Sequence, residues 1–266
     1  GSLSALTLTG EHKGEEVSFA KTSLNFTLIN EVFTSKGHTH FSENKIPFTY
    51  QHTRQELKNE QWLINGHLNI PTVTLKHPIT NGGAFSETAA GLSLTGTTSV
   101  TSKFQIGSDK DFTGNLDLTL KNGTLILPDE GPTLSGLTFR YQTPSLDTYH
   151  TTRLEKISIN KISYGDLAFT GSSGKYQLKP NGDLTVRDLR TSFLGGSLTL
   201  DPFTYPDDDL IDYSLKIRFK NTNLKSLTDL FPAFDGSLSG RIDGVLPISR
   251  QKGSYLPGRG EIHLSP

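Results

Sequence analysis

The chain has 266 residues, of which 33% are hydrophobic, and its 26 lysines and arginines nearly balance 27 aspartates and glutamates for a net charge of −1. Without a basic stripe there is little to neutralise a phosphate backbone, which argues against a nucleic-acid partner. The absence of cysteine excludes disulfide scaffolds, zinc–thiolate sites and thiol nucleophiles, and it fits an oxidising envelope compartment. So small an apolar share suits sheets that are oily on one side, not a thick multilayer core.

No stretch reaches the roughly 18 apolar residues of a membrane-spanning helix. Gly1-Ser2 reads as a tag scar, and residues 3–266 read as one continuous soluble excerpt of something longer.

Strand candidates with period-two alternation begin at Leu6/Leu8, Val17/Phe19 and Leu24/Phe26/Leu28, and a short helical possibility comes next at residues 54–57. Beyond it lie Leu68/Ile70, Val73/Leu75 and Leu92/Leu94, with Thr, Ser and Gly density across 82–102 marking an irregular or strand-edge zone. Phe104/Ile106, Leu116/Leu118/Leu120, Leu125/Leu127 and Leu137/Phe139/Tyr141 continue the series. The second half adds Ile157/Ile159, Leu167/Phe169, Tyr176/Leu178, Leu184/Val186, Leu198/Leu200, Tyr213/Leu215/Ile217/Phe219 and Ile262/Leu264. The main helix candidate spans 224–231, with Asn221, Thr222 or Asn223 as cap and Pro232 as stop. Proline-rich breaks at 128–132, 202–206 and 257 read as loops or edge kinks.

Glycine punctuates this series. Apolar residues recur at the second and fourth positions after Gly66, Gly114, Gly123, Gly165, Gly174, Gly182, Gly196 and Gly260. Each copy reads as a turn feeding a strand with one oily face, and the spacings 114/123, 165/174 and 174/182 read as hairpins. Asn65-Gly66, Asn81-Gly82, Asn122-Gly123, Asn181-Gly182, Asp235-Gly236 and Asp243-Gly244 supply type I′ turn chemistry. The expected fold is all-β: a long antiparallel meander with one or two short helices.

Candidate sites are few. Ser237 lies in Gly-Ser-Leu-Ser-Gly, one place away from the centre that a nucleophile elbow requires. The stretch from Gly171 to Lys175 lacks the leading glycine and trailing helix of a phosphate loop. His38-x-His40 puts two imidazoles on one side of a strand without a visible third metal ligand, so solvated histidines are the preferred reading. Asp207, Asp208 and Asp209 lack the alternating ligands of a calcium loop. Asn25 and Asn122 head glycan-acceptor triplets that matter only in a eukaryotic secretory setting, and Trp62 reads as core. No catalytic constellation, metal site or cofactor emerges, and the expected role is not enzymatic.

A sheet with one apolar face must cover it, since exposed apolar surface costs about 25 cal/mol per Å². A second sheet, barrel closure and an apolar ligand are the three available coverings. The stretch Phe193-Leu-Gly-Gly-Ser-Leu-Thr-Leu-Asp-Pro-Phe203, the short helix from Asn223 to Leu230, and Phe234-Asp-Gly-Ser-Leu-Ser-Gly-Arg-Ile-Asp-Gly-Val-Leu-Pro-Ile248 succeed one another in order. Gly258-Arg-Gly-Glu-Ile-His-Leu264 and, upstream, Leu154 to Ile159, Leu167 to Phe169, Gly182 to Val186 and Leu189 extend the series. Over residues 150–266 this resembles the AsmA-like superfamily, closest to its YdbH-type branch, whose domain is sometimes labelled dicarboxylate transport. Residues 1–150 share only the strand–turn style, and Ser254-Tyr-Leu-Pro257 departs from the family's glycine-led strand.

The resemblance implies an elongated, open apolar β-groove. Such proteins bridge the inner and outer membranes of double-membraned bacteria and carry phospholipid acyl chains. Most are anchored in the inner membrane by an N-terminal helix, and an outer-membrane or periplasmic protein partner is expected. On this reading Leu116, Leu118, Leu120, Leu184, Val186, Leu198, Leu200, Leu215, Ile217 and Phe219 line the lipid surface. The alternative is an extracellular or envelope β-sandwich or solenoid with a closed core, acting as an adhesin or carbohydrate-binding module.

Overall fold

A computed structural model describes residues 1–12, 15–58, 61–80, 91–109, 111–128, 130–206, 213–230, 238–251 and 254–265. They form seventeen strands and one short helix, so the all-β antiparallel meander expected from the alternation is the fold. The chain falls into two compact units, Gly1–Gly131 with Leu137–Tyr149, and Pro132–Gly136 with His150–Pro266.

In the first unit β1 (Ser2–His12), β2 (Glu15–Ile29), β3 (Val32–Phe41), β4 (Asn44–Glu56), β5 (Trp62–Ile79), β6 (Ser93–Gly107) and β7 (Phe112–Ile126) pair in chain order, each antiparallel to the last. Most of β8 (Thr133–Thr143) belongs here too, held to β7 by the Arg140–Asp117 ion pair. The second unit contains β9 (Glu155–Tyr164), β10 (Leu167–Leu178), β11 (Leu184–Phe193), β12 (Gly196–Leu200), β13 (Phe203–Tyr205) and β14 (Tyr213–Asn223). After the helix come β15 (Arg241–Gln251), β16 (Ser254–Pro257) and β17 (Glu261–Leu264). Both β12 and β13 pair with β11, and both β16 and β17 pair with β15.

Most strands are longer than the alternation alone suggested, and several candidates merge into one strand. Leu68/Ile70 and Val73/Leu75 share β5, and Leu116 through Leu125 share β7. β3, beyond the His38-x-His40 pair, and much of β4 were not among the strand candidates, and the helical possibility at 54–57 is not realised, because β4 runs on through Glu56. Residues 93–102, within the stretch read as an irregular or strand-edge zone, are strand. The segment between Pro202 and Pro206, read as a loop or edge kink, contains β13.

Glycine's role also differs from the expectation. Gly66, Gly114, Gly123, Gly174 and Gly244 lie inside strands, so Gly114 and Gly123 do not bracket a hairpin. The Phe104 ring occupies the space a Cβ on Gly66 would need, and the Phe219 ring does the same at Gly244. Glycine is required there for close approach. True turns fall at Gly165 (φ 53°), Gly182 (φ 87°) and the Leu194-Gly195 pair (φ 46° and 70°). Two tight hairpins use no glycine at all: Asn30-Glu31 (φ 47° and 65°) joins β2 to β3, and Ser42-Glu43 (φ 46° and 64°) joins β3 to β4. Asn81-Gly82 and Asp235-Gly236 lie outside the described residues.

The helix, α1, spans Leu224–Thr228, shorter than expected. Asn223 is its cap, with its side-chain oxygen accepting from the Ser226 N–H at 3.0 Å.

Four residues with left-handed backbone, Lys21 (φ 50°), Asn122 (φ 52°), Asp188 (φ 55°) and Asn221 (φ 56°), each coincide with a register shift. A bulge inserts one residue and so reverses the alternation beyond it. Phe219 and Thr222 face partners Gly244 and Ile242, which lie two apart on β15, so Asn221 keeps both on one side of the sheet.

The buried apolar side chains among the described residues are Phe41, Ile46, Leu75, Leu120, Leu137, Ile159 and Ile242. Phe41, Ile46 and Leu75 form a cluster in the first unit, with Ile70, Val73 and Ile79 packed against it. Asn44, also buried there, bonds to His77 as a strand would: its Nδ2 donates to the His77 carbonyl at 2.7 Å and its Oδ1 accepts from the His77 N–H at 3.0 Å.

Candidate functional site

In the second unit β14 shows the alternation plainly. Tyr213, Leu215, Ile217 and Phe219 are half-buried, while Ser214, Lys216, Arg218 and Lys220 are exposed. Directly paired residues in an antiparallel ladder project to the same side. Leu200, Ile217 and Leu246 therefore make one cross-strand row, and Leu198, Phe219, Gly244 and Ile262 make the next. Leu215, Ile248 and Pro257 make a third. Farther along, Tyr176, Val186 and Phe203 stand in register, as do Leu178, Leu184 and Tyr205. On the same sheet Phe169 and Phe193 stack with ring centroids 4.7 Å apart. Apart from glycine, the members described are half-buried, except for exposed Pro257 and Ile262, which is 68% exposed.

The first unit repeats the arrangement with more aromatic content. Phe33, His52, Gly66, Phe104 and Gly114 form one row, and Tyr50, Leu68, Ser102 and Leu116 the next. Ile70, Val100 and Leu118 make another, then Val73, Thr98 and Leu120. Phe33 stacks on His52 at 5.0 Å and Tyr50 on Phe104 at 6.2 Å, with Phe26 and Phe112 extending the series at 5.7 Å each.

The structure thus places Leu116, Leu118 and Leu120 on one row-bearing face in the first unit. Leu184, Val186, Leu198, Leu200, Leu215, Ile217 and Phe219 share a face in the second. Leu120 differs from the others in being 1% exposed, packed against Gly96 and Gly123. Sequence reasoning missed Phe203 and Tyr205, because the flanking prolines mask β13, and it missed Phe33, Tyr50 and Phe104 as row members. It also overlooked Gly244-x-Leu246-x-Ile248, a further copy of the glycine pattern it had used elsewhere.

The opposite face is polar and charged. Arg218 donates to Asp201 through Nε at 2.7 Å and through its Nη2 at 2.9 Å. Those bonds hold the Asp201 carboxyl below its ordinary value, with the positive charges of Arg218 and Lys216 adding to the effect. Lys175 lowers Asp188 in the same way through a 2.7 Å bond. His38 and His40 lie edge to face at 5.8 Å, and their partners on β4, Pro47 and Lys45, alternate with Ile46 and Phe48. Among the described residues no group of three potential metal ligands converges. Trp62 is half-buried with the Arg54 guanidinium 5.7 Å from its ring centre, not part of a core. The stretch from Gly171 to Lys175 is β10 strand, whereas Asp207–Asp209 and Ser237 lie outside the described residues.

Long antiparallel strands, bulges that keep oily residues in phase, and few buried apolar side chains define an all-β protein whose sheet faces are apolar on one side. The chain belongs to the YdbH-like family: a family model described as "Intermembrane phospholipid transport protein YdbH" matches residues 20–256. Neither a curated protein nor a solved structure matches it.

Proposed function

We propose that the apolar rows of each unit hold phospholipid acyl chains, and that the chain is a segment of an envelope protein moving phospholipid between the inner and outer membranes. The observation that carries this reading is the half-burial of register-aligned residues such as Leu198, Leu200, Leu215, Ile217 and Phe219. A sandwich core would bury such residues outright, whereas acyl chains gain about 0.8 kcal/mol per methylene withdrawn from water at such a surface. The rows repeat the same chemistry from strand to strand, so no position fixes a lipid and sliding along them is easy. A periplasmic setting, a membrane anchor and a protein partner belong to the same proposal. No catalytic residue has a part in it.

Lipid extracted from the purified chain and counted by mass spectrometry tests the reading. Wild type is expected to carry acyl lipid, and Ile217→Asp to lose it from the second unit with unchanged circular dichroism. Ser214→Asp, on the exposed side of the same strand, is expected to retain it. A photocrosslinking amino acid at 217 should label lipid, and one at 214 should not. A lipid-free wild type that binds no apolar dye, or global unfolding by Ile217→Asp alone, overturns the reading in favour of a closed core.

A further inference from the structure

The first unit's apolar rows end in a pair of charges on their own face. His52 stands in the row of Phe33 and Phe104, and the next residues of β4 on that side are Arg54 and Glu56. No left-handed residue intervenes to reverse the alternation. Arg54 is in register with Ile64, Ile106 and Phe112, and Glu56 with Trp62. β4 ends at Glu56 and β5 begins at Trp62, so these rows are the rim of the face. Arg54 and Glu56 pair at 2.8 Å with side chains 56% and 64% exposed, and the Arg54 guanidinium lies over the Trp62 ring. Phe112, in the Arg54 row, is also exposed. The Trp62 Nε1–H has no acceptor among the described residues. Lys58 after β4 and Asp109 and Asp111 between β6 and β7 stand at the same strand ends, so neither sign dominates among the described charges there. So exposed an ion pair is worth little as a fixed bond, and its members exchange partners readily. A guanidinium takes a phosphodiester through paired hydrogen bonds, and the indole N–H adds another. The carboxylate beside it takes an ammonium. An indole and a phenyl ring at the boundary of oily and wet surface suit the glycerol region of a lipid, as aromatic belts do at membrane interfaces.

We propose that Arg54, Glu56 and Trp62 form a rim site for the head group of a zwitterionic, amine-bearing phospholipid. The phosphate meets Arg54 and Trp62, the ammonium meets Glu56, and the acyl chains run inward over the rows of Ile106, Phe104 and Leu116 on the same face. The proposal rests on the lipid-carriage reading and adds a selectivity to it. An ethanolamine head group is favoured over an anionic glycerol one, which brings Glu56 no cation to replace Arg54.

The test places an aromatic photocrosslinking amino acid at 112, or at 217 in the second unit, of the full chain. Each protein is equilibrated with mixed micelles of equimolar phosphatidylethanolamine and phosphatidylglycerol, and its lipid adducts are counted by mass spectrometry. At 112 the ethanolamine lipid is expected about fivefold over the glycerol lipid, the margin of one exposed ion pair. Glu56→Gln is expected to bring that ratio near one, and Arg54→Gln to lower labelling by both lipids. At 217 the ratio is expected near one throughout. Labelling at 217 with none at 112, no preference at 112, or the same preference in Glu56→Gln overturns the head-group site and leaves lipid carriage standing. If neither position labels, carriage fails, and acyl-free glycerophosphoethanolamine decides the site alone through the fluorescence of Trp62, the chain's sole tryptophan. It should change the emission of wild type and not of Glu56→Gln; no change, or an equal response to glycerophosphoglycerol, overturns the proposal.

Discussion

Asn44 shows how much one side chain can carry in a fold with little core. It is buried and bonds both backbone groups of His77, extending a ladder where no strand pairs. Asn44→Ala leaves the part-buried N–H and carbonyl of His77 without their partner and is expected to cost about 1 kcal/mol. A urea titration tracking the shift in midpoint measures it, and a change below about 0.5 kcal/mol would mean that water replaces the amide. None of this was legible in the sequence, where Asn44 looks like any turn residue. The row residues were legible, because leucine and isoleucine at alternate positions have few other uses. Gly66 and Gly244 were seen but misread. Glycine before alternating apolar residues signals a turn or a close approach equally well, and only the facing phenylalanines 104 and 219, distant in sequence, decide between them.

At the scale of elements, the hairpin turns carry the lesson. Asn-Gly and Asp-Gly pairs pointed to hairpins, yet of those described only Asn181-Gly182 lies in a turn. Asn65-Gly66, Asn122-Gly123 and Asp243-Gly244 are within strands. The β2–β3 and β3–β4 turns instead put glutamate at a left-handed position, which an L side chain occupies at a cost. Glu31→Gly, creating Asn-Gly at an exposed turn, is expected to stabilise the chain by about 0.5–1 kcal/mol, read as a rise in the urea midpoint. A loss of stability would mean that the extra freedom of glycine in the unfolded chain outweighs the relieved strain. β3 and β4 escaped notice because their rows are built from Phe33, Ser35, Gly37 and Thr39, a mixture that does not alternate by hydropathy.

For the whole molecule, the pairing pattern governs how it unfolds. In the first unit β1 to β7 pair only in chain order, in the second β11, β12 and β15 also pair one strand further along, and each unit forms its own contacts. Stability in such a chain is a sum of neighbour terms rather than one cooperative core. Amide exchange read by mass spectrometry is therefore expected to separate the units. Asn44→Ala should speed exchange across β3, β4 and β5 while leaving β9, β10 and β11 within experimental error. A uniform acceleration along the whole chain would show a single cooperative block instead. The all-β class and the antiparallel meander could be read from the alternation alone. The division into two units could not, since no change of composition marks it.

The residues at 21, 122, 188 and 221 have one more consequence. Because each adds a single step to its strand, removing one works as a polarity inverter. Excising Asn221 would turn Lys220, Arg218 and Lys216 toward the side now occupied by Phe219, Ile217 and Leu215, converting a greasy lane into a cationic one without altering any other letter. Mutational drift in this chain is thus asymmetric: exchanging one oily residue for another is mild, whereas losing one asparagine rewires an entire strand.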